Sequence, residues 1–263
     1  MKNFISASQI TKQELDRIFA LTDDIIKHRK KYSNSLKDYV IATLFFEPST
    51  RTRLSFESAS LRLGAGLIST ENAKENASAR KGESLEDTIR IVQGYADMII
   101  LRHSDNDAAE RAVKVANVPI INAGSGGGEH PTQALLDLYT IRKYKGKIDN
   151  TKIAILGDLK YGRTAHSLIK LLSLYDNITT YGLSVRGLEL QDEYKDFLKK
   201  NNISYIECET LEEIPCDVDF IYQTRVQMER LEDKNLKIKE IILNKSNFAK
   251  FSDRTYLLHP LPR

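Results

Sequence analysis

Tryptophan is absent from this chain of 263 residues, and cysteine occurs only twice, at Cys208 and Cys216. That pair matches neither a zinc-ligand spacing nor a disulfide framework, which points to a reducing compartment. Histidine is scarce as well: the five residues are scattered, with no pair at metal-ligand spacing. Charge of one sign is missing, since 29% of residues are charged yet the net charge is only +3. Such a balance gives no bulk electrostatic case for binding nucleic acid or an anionic membrane. No apolar run approaches membrane-spanning length, and residues 1–13 lack the apolar core of a signal peptide. These absences leave a soluble cytoplasmic protein as the expectation. The length is enough to bury a full core and to form two domains or lobes.

What is present is a repeated alternation of strand-like and helix-like segments. Thr11 and Glu14 make a capping box, and Leu15, Ile18, Phe19, Ile25 and Ile26 follow at helical spacing. Residues 39–46 read as a strand that turns into a helix ending near residue 63, and the polar residues 72–81 read as a long loop. Helices over 83–95 and 108–116 alternate with strands over 98–102 and 118–122. The glycine run 124–128 breaks the pattern, and a long helix starts near Pro131. A second series has strands over 152–156, 178–183, 203–208, 218–223 and 256–258, with helices over 164–174 and 191–200. Such βα alternation predicts an α/β fold of two lobes, each a parallel β-sheet flanked by helices. The expected domains are 1–132 and 133–263, with the active site in the cleft between them. In open parallel sheets, ligands bind beyond the carboxyl ends of the strands.

Reactive side chains gather at those predicted strand ends. Glu47-Pro48-Ser49-Thr50-Arg51-Thr52-Arg53 sits where the first strand becomes a helix. A helix start offers unpaired N–H groups at the positive end of its dipole. Hydroxyls and a guanidinium beside it suit a phosphate, although an ordinary capped helix with a surface arginine has the same local pattern. Ser78 and Lys81 lie in the polar loop, and Arg102 ends a strongly apolar strand, where a charge is costly unless it faces a cleft or partner. His130 and Gln133 bracket a helix start. Gly157 to Arg163 forms another strand–loop–helix turn, which lacks the G-x-G-x-x-G of a dinucleotide site. Thr224-Arg225-Val226-Gln227 and His259-Pro260-Leu261-Pro262-Arg263 each follow a strand.

Together these motifs resemble the aspartate/ornithine carbamoyltransferase family over nearly the whole chain. The shared marks are Phe46 to Thr52 and His130-Pro131-x-Gln133. The marks of the aspartate branch are Gly157 to Arg163, Thr224 to Gln227 and His259 to Pro262. The H-C-L-P and Ser-Met-Gly patterns of the ornithine branch are not found in the sequence. The resemblance implies carbamoyl phosphate and L-aspartate as substrates and an early step of pyrimidine biosynthesis, with no metal or organic cofactor. By it, residues 1–132 bind carbamoyl phosphate and residues 133–263 bind aspartate. Ser49, Thr50, Arg51 and Thr52 hold the phosphate. Arg102, His130 and Gln133 surround the carbamoyl group together with Thr52, and the carbonyls of Leu261 and Pro262 accept from its amide nitrogen. Arg163, Arg225 and Gln227 bind the aspartate carboxylates, and Ser78 and Lys81 reach into a neighbouring subunit's site. A homotrimer with shared sites follows, and a regulatory chain is a further candidate partner.

Two alternatives accompany that reading: a non-catalytic paralogue that binds carbamoyl phosphate or serves assembly, and a carbamoyltransferase for another amino acid. Family members usually continue beyond the His-Pro-Leu-Pro-Arg segment that ends this chain. The second domain is therefore expected to be C-terminally short, with apolar surface left uncovered on the first lobe and weaker closure.

Overall fold

The computed structural model describes residues 2–71, 82–225 and 241–261. Contacts divide the chain into two units, Met1–Thr132 and Gln133–Arg263. Each unit is built on a wholly parallel sheet.

In the first unit, α1 (Lys12–Lys27) opens on the expected capping box. Glu14 N donates to Thr11 Oγ1 at 3.3 Å, and Thr11 N donates to Glu14 Oε2 at 2.9 Å. There follow β1 (Val40–Phe45), α2 (Thr50–Arg62), β2 (Gly66–Glu71), α3 (Leu85–Val92), β3 (Met98–His103), α4 (Ala108–Val115) and β4 (Ile120–Ser125). The sheet order is β2-β1-β3-β4. Side chains alternate between the faces of a strand, and here both faces are covered. Ala42, Leu44, Ile99, Leu101 and Ile120 pack into one buried cluster, and Ile41, Phe45, Ile100 and Ala123 into another. Burial on both faces is what makes these strands read as continuous apolar runs.

In the second unit, α5 (Pro131–Lys145) is followed by β5 (Lys152–Gly157), α6 (Arg163–Leu172), β6 (Thr179–Ser184), α7 (Asp192–Lys200) and β7 (Ser204–Cys208). Then come β8 (Phe220–Gln223), α8 (Lys245–Phe248) and β9 (Tyr256–Leu258). The order is β7-β6-β5-β8-β9. Ala154, Leu156, Tyr181, Leu183 and Ile221 share one core, while Ile153, Ile155, Phe220 and Tyr222 are buried on alternate positions.

Both sheets reverse their direction of growth once. In the first, the chain leaves β1 for β2 on one side and returns to β3 on the other. In the second, the reversal lies between β5 and β8. The crevice beyond the strand ends at such a switch point is where open α/β sheets bind ligands.

Three local expectations differ from the structure. Strand β2 is not legible in the sequence, because it is an edge strand paired on one side with three of its six residues exposed. Strand β4 runs through Gly124 to Ser125 rather than stopping before the glycine run. The side-chain oxygen of Asn122 accepts from Gly124 N at 2.8 Å and Ser125 Oγ at 3.0 Å, which holds that extension in place. Strand β3 likewise continues one residue past Arg102. Among the described residues, no helix is long and apolar enough to cross a membrane.

Candidate active site

At the first switch point, β1 ends at Phe45 and the chain turns through Glu47, Pro48 and Ser49 into α2. Phe46 N donates to the Arg102 carbonyl at 2.9 Å, which carries the turn alongside the end of β3. Ser49 occupies the N-cap position, yet its hydroxyl makes no capping bond. The first turn of α2 contains no acidic residue, so nothing there opposes an incoming anion. Thr52 is half-buried, while Thr50 and Arg51 are exposed.

The two arginines of this turn have different surroundings. Arg53 lies 3.1 Å from Glu71 Oε2 and 3.7 Å from Glu57 Oε1, so it braces α2 against β2. Glu57 also accepts from Ser69 Oγ at 2.5 Å, and Thr43 Oγ1 donates to Ser69 Oγ at 2.9 Å. Arg51 has no ion-pair partner among the described residues.

Arg102 belongs to the same end of the sheet, in register with Phe45. Its residue is 7% exposed. Nη1 donates to the Ala123 carbonyl at 3.2 Å and Nη2 pairs with Glu47 Oε2 at 2.9 Å. These two partners offset the burial cost expected of a charge at the end of an apolar strand, and they fix the plane of the guanidinium. Glu47, a member of the motif without an assigned role, is thus part of the site's framework.

His130 is buried just before α5. The glycine run delivers it there through a tight return. Ser125 N donates to the Glu129 carbonyl at 3.1 Å, and Gly127 N donates to Asn106 Oδ1 at 2.8 Å. Gly126 has φ of +45°, and a Cβ on it would lie 2.0 Å from Asn106 Oδ1 and 2.8 Å from the Ser104 carbonyl. Only glycine fits both the angle and the space. The carboxylate of Glu129 accepts from Ser6 Oγ at 2.7 Å and Ala7 N at 3.0 Å, pinning the segment to the start of the short 3-10 helix Ala7–Gln9.

At the second switch point, the loops after β5 and β8 are tied together by Thr224. Its N–H donates to the Leu156 carbonyl at 2.7 Å, and its Oγ1 accepts from Asp158 N at 3.0 Å. Gly157 has φ of +115°, and a Cβ there would lie 2.4 Å from the Thr224 carbonyl oxygen. The buried Asp158 accepts from Tyr161 N at 2.8 Å, and this curls the loop toward α6. Arg163 is the first residue of α6 and is half-buried, whereas Arg225 is exposed directly after Thr224. One guanidinium group therefore starts from the first turn of α6, after the β5 loop, and the other from just beyond the end of β8.

Gln133 lies in the first turn of α5, and its Nε2 donates to Asp137 Oδ1 at 2.9 Å. Asp137 also accepts from the Tyr222 hydroxyl at 2.7 Å. Burial pushes the Asp137 carboxyl up to about 6, against the downward pull of these two hydrogen bonds. Neither Asp137 nor Tyr222 is assigned a role from sequence. Asp137 sits one turn after Gln133, a spacing that brings side chains together, but Tyr222 gives no such signal. Leu261 follows β9 with φ of +58°, and its N–H donates to His259 Nδ1 at 2.8 Å. Ser78, Lys81, Gln227 and Pro262 lie outside the described residues. Among the described residues there is no cluster of His, Cys, Asp and Glu that could hold a metal ion.

Comparison with known proteins gives these positions a context. Residues 2–143 match the carbamoyl-P binding domain of aspartate/ornithine carbamoyltransferases, and residues 149–263 match the Asp/Orn binding domain. The chain is 48% identical over 265 residues to the aspartate carbamoyltransferase catalytic subunit of Clostridium novyi, covering 100% of this chain and 86% of that one. To the catalytic subunit of Methanocaldococcus jannaschii it is 45% identical over 267 residues, covering 100% and 87%. Among solved structures, aspartate transcarbamoylase from Trypanosoma cruzi in complex with N-(phosphonacetyl)-L-aspartic acid superposes with a TM-score of 0.91 at 34% identity, covering 100% of this chain and 85% of that one. The M. jannaschii catalytic subunit superposes with a TM-score of 0.85 at 42% identity, covering 100% and 87%. With both of the family's domains matched, this chain belongs to the aspartate/ornithine carbamoyltransferase family.

Proposed function

We propose that this protein transfers the carbamoyl group of carbamoyl phosphate to the amine of L-aspartate, giving N-carbamoyl-L-aspartate and phosphate. One observation supports the reading: basic side chains gather at both sheet switch points. The first has the open start of α2 with Arg51 and the buried Arg102, and the second has Arg163 and Arg225. The T. cruzi relative has been solved with carbamoyl phosphate and aspartate, which fits that division of labour.

The residues divide the work as follows. Ser49, Thr50, Arg51 and Thr52 hold the phosphate, where a helix N-terminus and a planar fork match its oxygens. Ser78 and Lys81 join them from a neighbouring subunit of a homotrimer. Arg102, His130, Gln133 and Thr52 surround the carbamoyl group, and the carbonyls of Leu261 and Pro262 accept from its nitrogen. Arg163, Arg225, Gln227 and Lys81 bind the aspartate carboxylates. On this reading residues 1–132 are the carbamoyl phosphate domain and residues 133–263 the aspartate domain.

The lone pair of the aspartate amine attacks the carbamoyl carbon and forms a tetrahedral oxyanion. Arg102, His130 and Thr52 stabilise that charge as it develops, by preorganised donors rather than a covalent intermediate. The carbon–oxygen bond to phosphate then breaks, and the leaving phosphate takes up the proton released by the amine. Holding both anions in place removes much of the entropic barrier of a bimolecular reaction. The step moves no electrons to or from a redox partner, so the reading includes no cofactor. The reaction belongs to pyrimidine biosynthesis in the cytoplasm.

The test is an assay of purified protein with carbamoyl phosphate and aspartate, run beside a native mass measurement of the assembly. Carbamoyl-aspartate production by a trimer is expected, and the same mass reports any regulatory chain. A preference for ornithine would overturn the assignment of Arg163 and Arg225. Tight carbamoyl phosphate binding without turnover would point to a binding subunit instead.

A further inference from the structure

The second unit contains a buried polar chain that the proposed reaction does not use. Asp137 is 5% exposed and sits on the inner face of α5. Its Oδ1 accepts from Gln133 Nε2 at 2.9 Å, and its Oδ2 accepts from the Tyr222 hydroxyl at 2.7 Å. Tyr222 is fully buried on β8 and 85 residues away in sequence. Two elements, α5 and β8, thus meet at one carboxyl group. A carboxyl group in a core is costly, and an apolar residue of similar size would pack there without that cost.

What the carboxylate does is choose which way round the Gln133 amide sits. The oxygen and nitrogen of a glutamine side chain have nearly the same shape, so packing alone does not distinguish them. An ionised carboxylate is acceptor-only and can face the NH2 group but not the carbonyl oxygen. The two donors, one on each oxygen of Asp137, pull toward that ionised state against the burial that raises its pKa to about 6. The carboxylate form therefore prevails above that pH. With the NH2 engaged by Asp137, Gln133 Oε1 is the atom left for another partner. That orientation makes Gln133 an acceptor for an N–H group, which a carbamoyl group supplies through its own NH2.

We infer that Asp137 is a positioning residue for the carbamoyl group: it fixes the Gln133 amide so that Oε1 accepts from the substrate NH2, and Tyr222 holds Asp137 in place. This rests on the reading of Gln133 as a carbamoyl ligand. It also accounts for a feature of the sequence, the single acidic residue on an otherwise apolar stretch of α5 from Ala134 to Leu138.

The experiment is a double-mutant cycle on the full chain, with kcat and KM for carbamoyl phosphate measured for Gln133→Ala, Asp137→Asn and the double variant. Gln133→Ala should lower kcat/KM. Asp137→Asn, nearly the same shape but able to donate, should lower it about tenfold, the worth of one hydrogen bond to a charged group. In the Gln133→Ala background, Asp137→Asn should cost little more, because its effect passes through Gln133. Losses that multiply would mean a structural role and overturn the inference. So would wild-type kinetics in Asp137→Asn alongside a damaged Gln133→Ala. If Gln133→Ala is itself silent, the reading of the site falls and the inference falls with it.

A second measurement needs no Asp137 variant and guards against one that fails to fold. With glutamine side chains labelled with nitrogen-15, the Gln133 NH2 resonances are assigned by their absence in Gln133→Ala. In the unmodified protein they should be well resolved, with one hydrogen protected from exchange. Gln133 hydrogens that exchange as fast as those of exposed glutamines would overturn the inference.

Discussion

Arg102 and Glu47 form an ion pair at 2.9 Å, in which the arginine side chain is 8% exposed and the glutamate side chain 28%. The guanidinium is therefore aimed by a carboxylate from the β1–α2 turn, the same turn that presents Ser49 to Thr52. Substitution of Glu47 by alanine takes away that aim and leaves a buried cation with one fewer partner. A loss of roughly 1–3 kcal/mol in stability is expected. A fall in kcat of about tenfold or more should accompany it, as expected for a misplaced oxyanion donor. Denaturant melts and steady-state kinetics on Glu47→Ala check both. Unchanged kcat would mean that Arg102 is aimed without Glu47.

The second switch point depends on Gly157. Its φ of +115° is a region that other residues rarely adopt, and an added Cβ would meet the Thr224 carbonyl at 2.4 Å. Gly157→Ala must therefore push Thr224 and Arg225 outward or relax the end of β5. The expected cost is roughly 2–3 kcal/mol in stability. KM for aspartate should rise, while the affinity for carbamoyl phosphate stays near its original value. Equilibrium binding of carbamoyl phosphate measures the second part separately. A variant whose KM for aspartate is unchanged would show that the loop does not set the position of Arg225.

Much of this arrangement is legible in the sequence. The capping box at Thr11, the turn into α2 and the basic residues at strand ends follow from local chemistry, because short-range hydrogen bonds and helical spacing are written in adjacent residues. What escapes has a non-local cause. Strand β2 is stabilised by pairing with β1 across the α2 connection, and residues 66–71 have little apolar signal of their own. The contact of Asp137 with Tyr222 joins residues 85 apart. Ser49 fills the N-cap position without making the side-chain bond expected of a cap, since that bond depends on the turn's φ and ψ.

Arg163 and Arg225, at the second switch point, give a kinetic signature. Arg163→Ala and Arg225→Ala should each raise KM for aspartate by about tenfold or more, since each removes a charge-assisted pair to a carboxylate. Carbamoyl phosphate binding should be nearly unaffected in both, which separates this outcome from general unfolding. Lysine at either position should rescue only part of the loss, because a point charge cannot replace a planar fork. Titration with carbamoyl phosphate beside aspartate saturation curves distinguishes the cases. Equal losses in both substrates would argue against the division of labour.

Asp137 predicts a pH dependence of stability opposite to that of most carboxylates. Its pKa is raised from the usual 3.8 to about 6 because burial disfavours the charged form. Between those values the folded chain keeps a proton that the unfolded chain has released. Stability contributed by this group is thus highest at low pH, falls as pH rises through the window, and stays low above it. The full change across the window is roughly 3 kcal/mol, since each tenfold change in proton affinity is worth about 1.4 kcal/mol. Glu86, held at about 2 by its hydrogen bond with Arg111, shows the usual behaviour: its contribution rises with pH until the unfolded chain has also released the proton, around 4.5. It overlaps the lower part of this window and cancels when wild type and variant are compared. Denaturant midpoints of the wild type and Asp137→Asn should be compared at several values between about pH 4 and 7. The asparagine variant carries a constant offset from its altered hydrogen bonds, so only the pH-dependent part of the difference is informative. The wild type is expected to lose stability relative to the variant as pH rises, and a difference that stays flat across the window would mean that Asp137 titrates as an ordinary carboxylate.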